Sequence, residues 1–367
     1  MSIDDGSFSS SESVGFGSQI GDSIKGILAG IVLFPLSIYC IFKVETCTQA
    51  GDAFKKAVPV TQKEEGKPIY VTGKLTADPV GSKFIKPGNY IRVSQTSQVY
   101  AWDETTRTEG KGSKKEKITE CKLKWTSNPD DPQKFKDSRC RAKKYHKITF
   151  PSSSATAGGA KVTADGKSYG VNLKDVDFAS AVKSAEPASG DIITNGYTIG
   201  EKYLYEFPDC ASSPKEGCER IDLSVTPIPE GEMTFLGDLN GSNLTKYVYD
   251  GEQFLNASVG TYAQTMQAVK SDDSMKKWFG RIAGFVMMWA SFVLMTGPLM
   301  TLLEFIPFVG EFGAGALRFV FGVVAFVITA ITIILVKFWY IWLLLILGAL
   351  GYGIYKRKFA DQAQSTT

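Results

Sequence analysis

Apolar residues gather in a few long runs of the sequence, and the first run lies close to the start. Residues 24–42 are almost wholly apolar, with Lys25 as the only charge. About 20 such residues span the hydrocarbon core of a bilayer as a helix, so 24–42 is predicted as the first transmembrane helix. A cleaved signal peptide is the alternative, but it has a basic start. Residues 1–23 are Ser-rich and acidic, and we therefore expect a retained anchor.

Apolar runs return towards the end of the chain, where residues 282–355 hold only four formal charges in 74 positions. The run 282–303 is predicted as a second transmembrane helix. The next run, 319–355, is broken only by Lys337. At about 1.5 Å per residue, a single helix of that length is too long for one crossing. We therefore predict two further helices, at 314–336 and 338–355, with an interfacial turn at 304–313.

Between these runs the hydrophobic pattern changes to an alternation of period two, which is typical of half-buried strands. The stretch 118–125 alternates in this way and is predicted to form a hairpin with 99–102 across a Lys-rich polar turn at 105–117. The predicted fold is an α+β membrane protein with four transmembrane helices, one N-terminal and three C-terminal. A large, mixed, β-rich extramembrane domain at 43–281 separates the first helix from the second.

The basic residues near the membrane predict the orientation of the chain. Four crossings place both termini on one face of the membrane, and Lys356-Arg357-Lys358 follows the last helix directly. Basic residues in short tails favour the cytoplasmic face, whereas a long domain is translocated largely regardless of its charge. We therefore predict that the tails 1–23 and 356–367 are cytoplasmic and that the 43–281 domain is luminal or extracytoplasmic.

Four of the six cysteines lie in the predicted domain, namely Cys121, Cys140, Cys210 and Cys218. An even number suits an oxidised compartment. Cys210 and Cys218 flank a turn that contains Pro and Gly, which favours a local pair and leaves Cys121 with Cys140. Other pairings, or four reduced thiols, stay open on sequence grounds.

Three Asn-x-Ser/Thr acceptors cluster in the same domain, at Asn240, Asn243 and Asn256. Such tripeptides are N-glycosylation sites in secretory compartments of eukaryotes. We treat these three asparagines as candidate glycosylation sites.

Residues suited to catalysis or metal binding are few. His146 is the only histidine and lies in a basic run, so no His-based metal cluster can form within one chain. The sequence contains no Walker, dinucleotide-binding or nucleophile-elbow pattern. A formal charge of +3 gives no electrostatic reason to expect nucleic acid. We therefore expect a non-enzymatic protein with no cofactor, no metal, no nucleic-acid partner and no small-molecule substrate.

The charges within the C-terminal apolar region are informative because a charge at bilayer depth is costly unless it is paired. Glu304, Glu311 and Arg318 are spaced by seven residues, and Lys337 lies further along. We expect Glu311 and Arg318 to lie at the cytoplasmic interface and to pair with each other. An interfacial turn with ordinary charges is favoured over an ion pathway or a helix-packing lock.

Several motifs around the predicted helices belong together. The second helix is preceded by Trp278 and by Arg281-Ile-Ala-Gly284, and it is followed by Glu304-Phe-Ile-Pro307. Glu45 follows the first helix, and the domain contains Tyr100-Ala-Trp102 and Lys124-Trp125. These residues resemble the LUMA, or transmembrane protein 43, family over nearly the whole chain. The sequence departs from the family's Asn-Glu-Gly-Arg, since it has Val44-Glu45-Thr46-Cys47 there. The family-like positions are Glu45, Trp102, Trp125, Trp278, Arg281, Gly284 and Pro307.

The resemblance implies a four-span protein with cytoplasmic termini and a luminal domain that self-associates. It implies the endoplasmic reticulum and the inner nuclear membrane in a eukaryote. In a prokaryote we expect the cell membrane, with the large domain outside the cytoplasm. Family members contact lamina-associated proteins, so membrane or nuclear-envelope proteins are the implied partners.

The leading hypothesis is a membrane organiser or scaffold that forms a homo-oligomer within the lipid bilayer. Gly26 with Gly30, and Gly280 with Gly284, have the small-xxx-small spacing that permits close approach of helices. The alternative hypothesis is an ion channel or transport protein with a pathway through the C-terminal helices.

Overall fold

The structure, a computed structural model, describes residues 7–110, 115–304, 309–338, 340–341, 343–344 and 347–352. The chain divides into two compact units. The polar unit contains Thr48–Gly110 and Lys115–Ser274, together with residues 7–13. The helical unit contains Val14–Cys47 and the described residues from Met275 to Tyr352. The chain is thus α+β, with a β-rich domain inserted between an N-terminal helix and C-terminal helices, as predicted.

The helices are α1 (Phe16–Thr46), α2 (Ala50–Ala53), α3 (Ser138–Arg141), α4 (Asp209–Ser212), α5 (Tyr262–Met295), α6 (Gly297–Glu304) and α7 (Val309–Lys337). The strands are β1 (Ser7–Ser13), β2 (Val58–Pro59), β3 (Ile69–Thr76), β4 (Tyr90–Glu109), β5 (Glu116–Thr126), β6 (Ser153–Thr156), β7 (Lys161–Ala164), β8 (Lys167–Val171), β9 (Asp177–Phe178), β10 (Thr198–Ile199), β11 (Tyr203–Tyr205), β12 (Glu219–Pro227), β13 (Met233–Asn240), β14 (Asn243–Thr245), β15 (Tyr247–Tyr249), β16 (Glu252–Phe254) and β17 (Asn256–Val259).

Three described helices, α1, α5 and α7, are long and apolar enough to cross a membrane. They carry the first three of the four predicted spans. The fourth predicted span, 338–355, lies partly outside the described residues; a fourth crossing is not found among the residues that are described. Helix α5 ends before Gly297-Pro298, and α6 begins there, because proline is well tolerated in the first turn of a helix.

The first sheet of the polar unit has the strand order β1-β5-β4-β12-β11-β10, and β6 also pairs with β4. Its centre is the predicted hairpin, in which β4 and β5 are antiparallel from Val99 opposite Thr126 to Glu109 opposite Glu116. The predicted polar turn at 105–117 is too long, because residues 105–109 belong to β4. Alternation along β4 and β12 buries one face of the sheet against Phe84 and Ile85.

The second sheet contains a closed cycle of strands. Strand β3 pairs with both β7 and β13, and the cycle continues through β8 and β14. Its interior holds the largest apolar cluster of the unit, which includes Val71, Val162 and Phe235, each at most 1% exposed. A closed cycle leaves fewer sheet edges open to other chains, whereas the first sheet keeps its edges.

Residues 7–13, which the sequence places in the N-terminal tail, form strand β1 on the outer edge of β5. The pairing is antiparallel and runs from Ser7 opposite Lys122 to Ser13 opposite Glu116. The side of the membrane on which this tail lies stays a prediction.

Candidate interaction surface

The exposed face of the first sheet carries a cluster of aromatic rings around one arginine. Along β12, alternation buries Ile221 and turns Arg220 outward, and the register places Arg220 between Gln98 on β4 and Tyr205 on β11. The same alternation on the neighbouring hairpin places Tyr100 opposite Trp125. We call this cluster the arginine cradle; its members are Arg220, Gln98, Tyr100, Trp125, Tyr203 and Tyr205.

Two rings of the cradle lie close to the Arg220 guanidinium. Its Cζ lies 4.4 Å from the centroid of Trp125 and 4.2 Å from that of Tyr203. Its Nε donates a hydrogen bond of 2.8 Å to Oε1 of Gln98, which fixes the guanidinium plane. Cation–π contacts of this kind contribute about 0.5–2 kcal/mol each.

The remaining rings extend the surface without burying it. Trp125 contacts Tyr100 at 5.3 Å and Tyr205 at 6.3 Å between ring centroids. All of these side chains are half-exposed. Tryptophan, tyrosine and arginine dominate the energetically important positions of protein interfaces, so this arrangement is suited to binding another protein.

The first residue of β12, Glu219, places its carboxylate on the opposite, buried face of the sheet. Glu219 is 4% exposed, and its carboxylate accepts hydrogen bonds from the Thr149 backbone N–H and hydroxyl and from the Tyr197 hydroxyl. Burial, helped by Glu219, raises the pKa of Tyr197 above its usual value. Burial and the nearby Glu219 charge likewise raise the pKa of Glu206. With these bonds, Glu219 is a structural anchor beneath the exposed face.

Both predicted cysteine pairs form in the polar unit. Cys210–Cys218 ties α4 to the residue before β12, and Cys121–Cys140 ties β5 to α3. Each disulfide therefore holds an irregular segment against the first sheet.

A pair of family-like residues meets where α1 and α5 lie side by side in the helical unit. The Arg281 Nε lies 2.6 Å from Glu45 Oε1, and its Nη2 lies 3.0 Å from Glu45 Oε2. The Glu45 side chain is only 5% exposed, whereas that of Arg281 is 39% exposed. A bidentate pair of this kind restrains the orientation of both side chains in addition to compensating their charges.

The transmembrane protein 43 family model matches residues 99–342, which include the cradle except Gln98, both disulfides and Arg281. The chain belongs to the transmembrane protein 43 family. It is 25% identical to Transmembrane protein 43 of Mus musculus over 326 residues, which cover 80% of this chain and 79% of the mouse protein. Transmembrane protein 43 of Homo sapiens has the same identity and coverage. No solved structure matches the chain.

The other family-like positions in this member of the transmembrane protein 43 family are spread over both units. Trp102 is 3% exposed beneath β1, Trp125 belongs to the cradle, and Trp278 is 56% exposed beside Phe279. Trp278 lies just before the apolar part of α5, and an exposed tryptophan at the edge of an apolar run is typical of the aromatic belt at a membrane interface. Pro307 lies outside the described residues.

Glycines of the predicted small-xxx-small pairs are used inside this chain. A side chain at Gly30 would collide with Ser291 and Met295 of α5, and one at Gly284 would collide with Ile41 of α1. Close helix approach is therefore confirmed, but it joins α1 to α5 of the same chain. These glycines consequently give no support of their own to self-association.

The charges of the C-terminal region are only partly described. The side chains of Glu304 and Glu311 lie outside the described residues, so their expected interfacial positions, and the pairing of Glu311 with Arg318, stay predictions. The backbone carbonyl of Arg318 accepts a 3.0 Å hydrogen bond from the Trp289 indole. Lys337 is exposed in the last turn of α7.

The three candidate glycosylation sites differ in exposure. Asn240 and Asn243 flank the short turn between β13 and β14 and are exposed. Asn256 lies within β17 and is 5% exposed. The fold therefore leaves two of the three acceptors accessible.

Sequence reasoning did not foresee the cradle or the Glu45–Arg281 pair. Trp125 and Arg220 are 95 positions apart, and Glu45 and Arg281 are 236 apart. The available signal was weak: Glu45, Trp125 and Arg281 are among the residues that resemble the family, and each lies at or beside the end of a predicted strand or helix. Among the described residues, no group of three or more His, Cys, Asp and Glu side chains is arranged to hold a metal ion.

Proposed function

We propose that this protein is a non-enzymatic membrane organiser that self-associates and binds other membrane proteins through its polar unit. The resemblance to the LUMA family supports the endoplasmic reticulum and inner nuclear membrane as its location in a eukaryote. For a prokaryotic chain it supports the cell membrane, with the polar unit outside the cytoplasm.

The arginine cradle is the observation that carries this proposal. It places Arg220 between Trp125 and Tyr203 on an exposed sheet face, with one guanidinium edge held by Gln98. A carboxylate or a backbone carbonyl of a partner can bind the other edge, while its apolar groups cover the rings. Preorganised side chains lose little entropy on binding, which favours affinity.

The hydroxyl groups inside the helical unit support an organiser over a channel. Ser37 and Ser291 are fully buried, and each donates a 2.7 Å hydrogen bond to a carbonyl of its own helix. Thr332 does the same at 2.8 Å. These hydroxyls thus donate within their own helices, and the described cluster around them is apolar, with Ile41, Met288 and Ala325 at its centre.

Stoichiometry in a bilayer tests the proposal. We would count photobleaching steps of singly labelled full-length chains in native membrane nanodiscs. We expect more than one copy per particle for the wild type and a shift to single copies for Arg220→Ala. Arg92→Ala is the matched control, because Arg92 is exposed on β4 of the same sheet and lies outside the cradle.

A single copy of the wild-type chain in every preparation would contradict self-association. If the number of copies per particle is the same for Arg220→Ala and the wild type, the interface between copies lies outside the cradle. Steady single-channel currents from the purified protein in planar bilayers, altered by Glu311→Gln, would instead favour the channel hypothesis.

A further inference from the structure

Strand β1 pairs with the outer edge of β5, along residues 116–122. We call this strand-binding position on β5 the seat. The pairing covers all seven residues of β1, and Phe8 is its aromatic anchor. The Phe8 ring lies 5.5 Å from the Trp102 ring, between centroids. Beneath these rings lies the Cys121–Cys140 disulfide, which is fully buried.

Basic side chains frame this seat. Lys143 Nζ lies 4.9 Å from the Phe8 centroid and 4.7 Å from the Trp102 centroid, and Arg139 Cζ lies 5.2 Å from Phe8. Arg139 also donates a 2.9 Å hydrogen bond to the Ser9 carbonyl. Further along the edge, Glu12 is opposite Lys117. The seat therefore fits an extended segment that has an aromatic side chain, small hydroxyl residues and a following acid.

The connectivity of the chain limits whether its own β1 can pair with β5 in a membrane. Helix α1 begins three residues after Ser13, and its apolar part starts at Ile24. If α1 crosses a bilayer, residues 7–13 lie on one face and the chain after Thr48, including β5, lies on the other. The extended segment before α1 cannot reach back to β5 through the bilayer, because a chain with unpaired backbone groups is excluded from the hydrocarbon core.

A vacated seat would be costly for the polar unit. Trp102 is only 3% exposed with β1 in place, so removing β1 would expose its ring to water. The edge of β5 would also present a row of unpaired N–H and C=O groups, which readily pair with another strand. Removing β1 thus creates a site for strand addition with an aromatic pocket beside it.

We propose that, in the membrane, the β5 edge is a binding site for an extended peptide segment of another protein, with an aromatic side chain in the Phe8 position. The segment is hydroxyl-rich and acidic, matches the chemistry of β1, and approaches from the side of the polar unit. This site is independent of the arginine cradle, so it can hold even if the protein is monomeric.

A synthetic peptide of residues 5–15 is the probe, with fluorescein attached and full-length protein in nanodiscs. We expect saturable binding by fluorescence anisotropy, and about tenfold or greater weakening when the peptide carries Phe8→Ala, because the aromatic anchor is lost. A scrambled peptide controls for charge. Arg139→Ala with Lys143→Ala in the protein should weaken binding without altering the peptide.

A cross-linking variant tests whether the chain's own β1 occupies the seat. Ser11 and Ile118 are directly opposite in β1 and β5, so Ser11→Cys with Ile118→Cys would join them if a chain's own strand were seated. We expect no such disulfide in nanodiscs. Formation of the disulfide, or absence of peptide binding to the wild type, would overturn the proposal; binding that is insensitive to Phe8→Ala would overturn it too.

Discussion

Arg281 on α5 holds the buried carboxylate of Glu45, at the end of α1, through two hydrogen bonds of 2.6 and 3.0 Å. The pair links α1 to α5 within the helical unit. Because the Glu45 side chain is 5% exposed, its charge depends on Arg281 for compensation. Removing one partner of a fully buried pair costs about 3–5 kcal/mol, and the cost here is smaller because the Arg281 side chain is 39% exposed.

We therefore expect Arg281→Ala to lower the stability of the helical unit by about 2 kcal/mol, because the buried Glu45 carboxylate loses its donor. The measurement is thermal unfolding in mild detergent, followed by cysteine reactivity of Cys40 in α1. The matched control is Lys277→Ala, one turn earlier on α5, which should change the unfolding temperature little. In a double-mutant cycle, Glu45→Gln should recover part of the loss, since it removes the buried charge; purely additive effects would contradict the coupling.

The glycine contacts between α1 and α5 predict a second effect. Gly284→Leu forces a side chain into Ile41, and overpacking of this kind costs about 1–3 kcal/mol. Gly315→Leu on α7 is the control, because a side chain there meets no neighbouring atom within 4 Å. Unfolding in detergent should separate the two variants, and equal unfolding temperatures would argue against close packing at Gly284.

The exposure of the asparagines predicts which of them carries a glycan. In a eukaryotic host, with the polar unit in the lumen, the accessible sites are Asn240 and Asn243, whereas Asn256 is buried in β17. Replacing both accessible asparagines by Gln should abolish the mobility shift that glycosidase treatment removes. Asn256→Gln is the control and should leave the shift intact; its loss in that variant would contradict the placement of β17.

The half-buried carboxylate of Glu206 predicts how stability depends on pH. The pKa of Glu206 is raised above its usual 4.5 by burial and by Glu219, so the folded state favours the protonated form. That stabilisation is present below about pH 4.5 and is lost as the pH rises through the raised pKa. Glu206→Gln should therefore match the wild type near pH 4 and exceed it in unfolding temperature near pH 8.

The control for this titration is Glu201→Gln, because Glu201 is exposed on the neighbouring loop. It should leave the pH profile of the unfolding temperature unchanged. An identical profile for Glu206→Gln and the wild type would show that Glu206 does not contribute to it.

The hydrophobic pattern by itself was enough to find the two kinds of structure in this chain. Runs of about 20 apolar residues are a local property, since a helix satisfies its own backbone hydrogen bonds, so α1, α5 and α7 could be predicted. Alternation with period two predicted the β4–β5 hairpin for the same reason, because its partners are close in sequence. The short separation of Cys210 and Cys218 likewise favoured the disulfide that forms.

Only the tertiary structure decided the contacts between residues that are distant in the sequence. Glu45 with Arg281, and Arg220 with Trp125, join segments whose pairing depends on how whole sheets and helices pack. Composition does not encode such distances, and neither does periodicity. The sequence determined which segments are apolar helices and which are strands; packing decided which charges, rings and edges face one another, because those free energies arise only when distant residues meet.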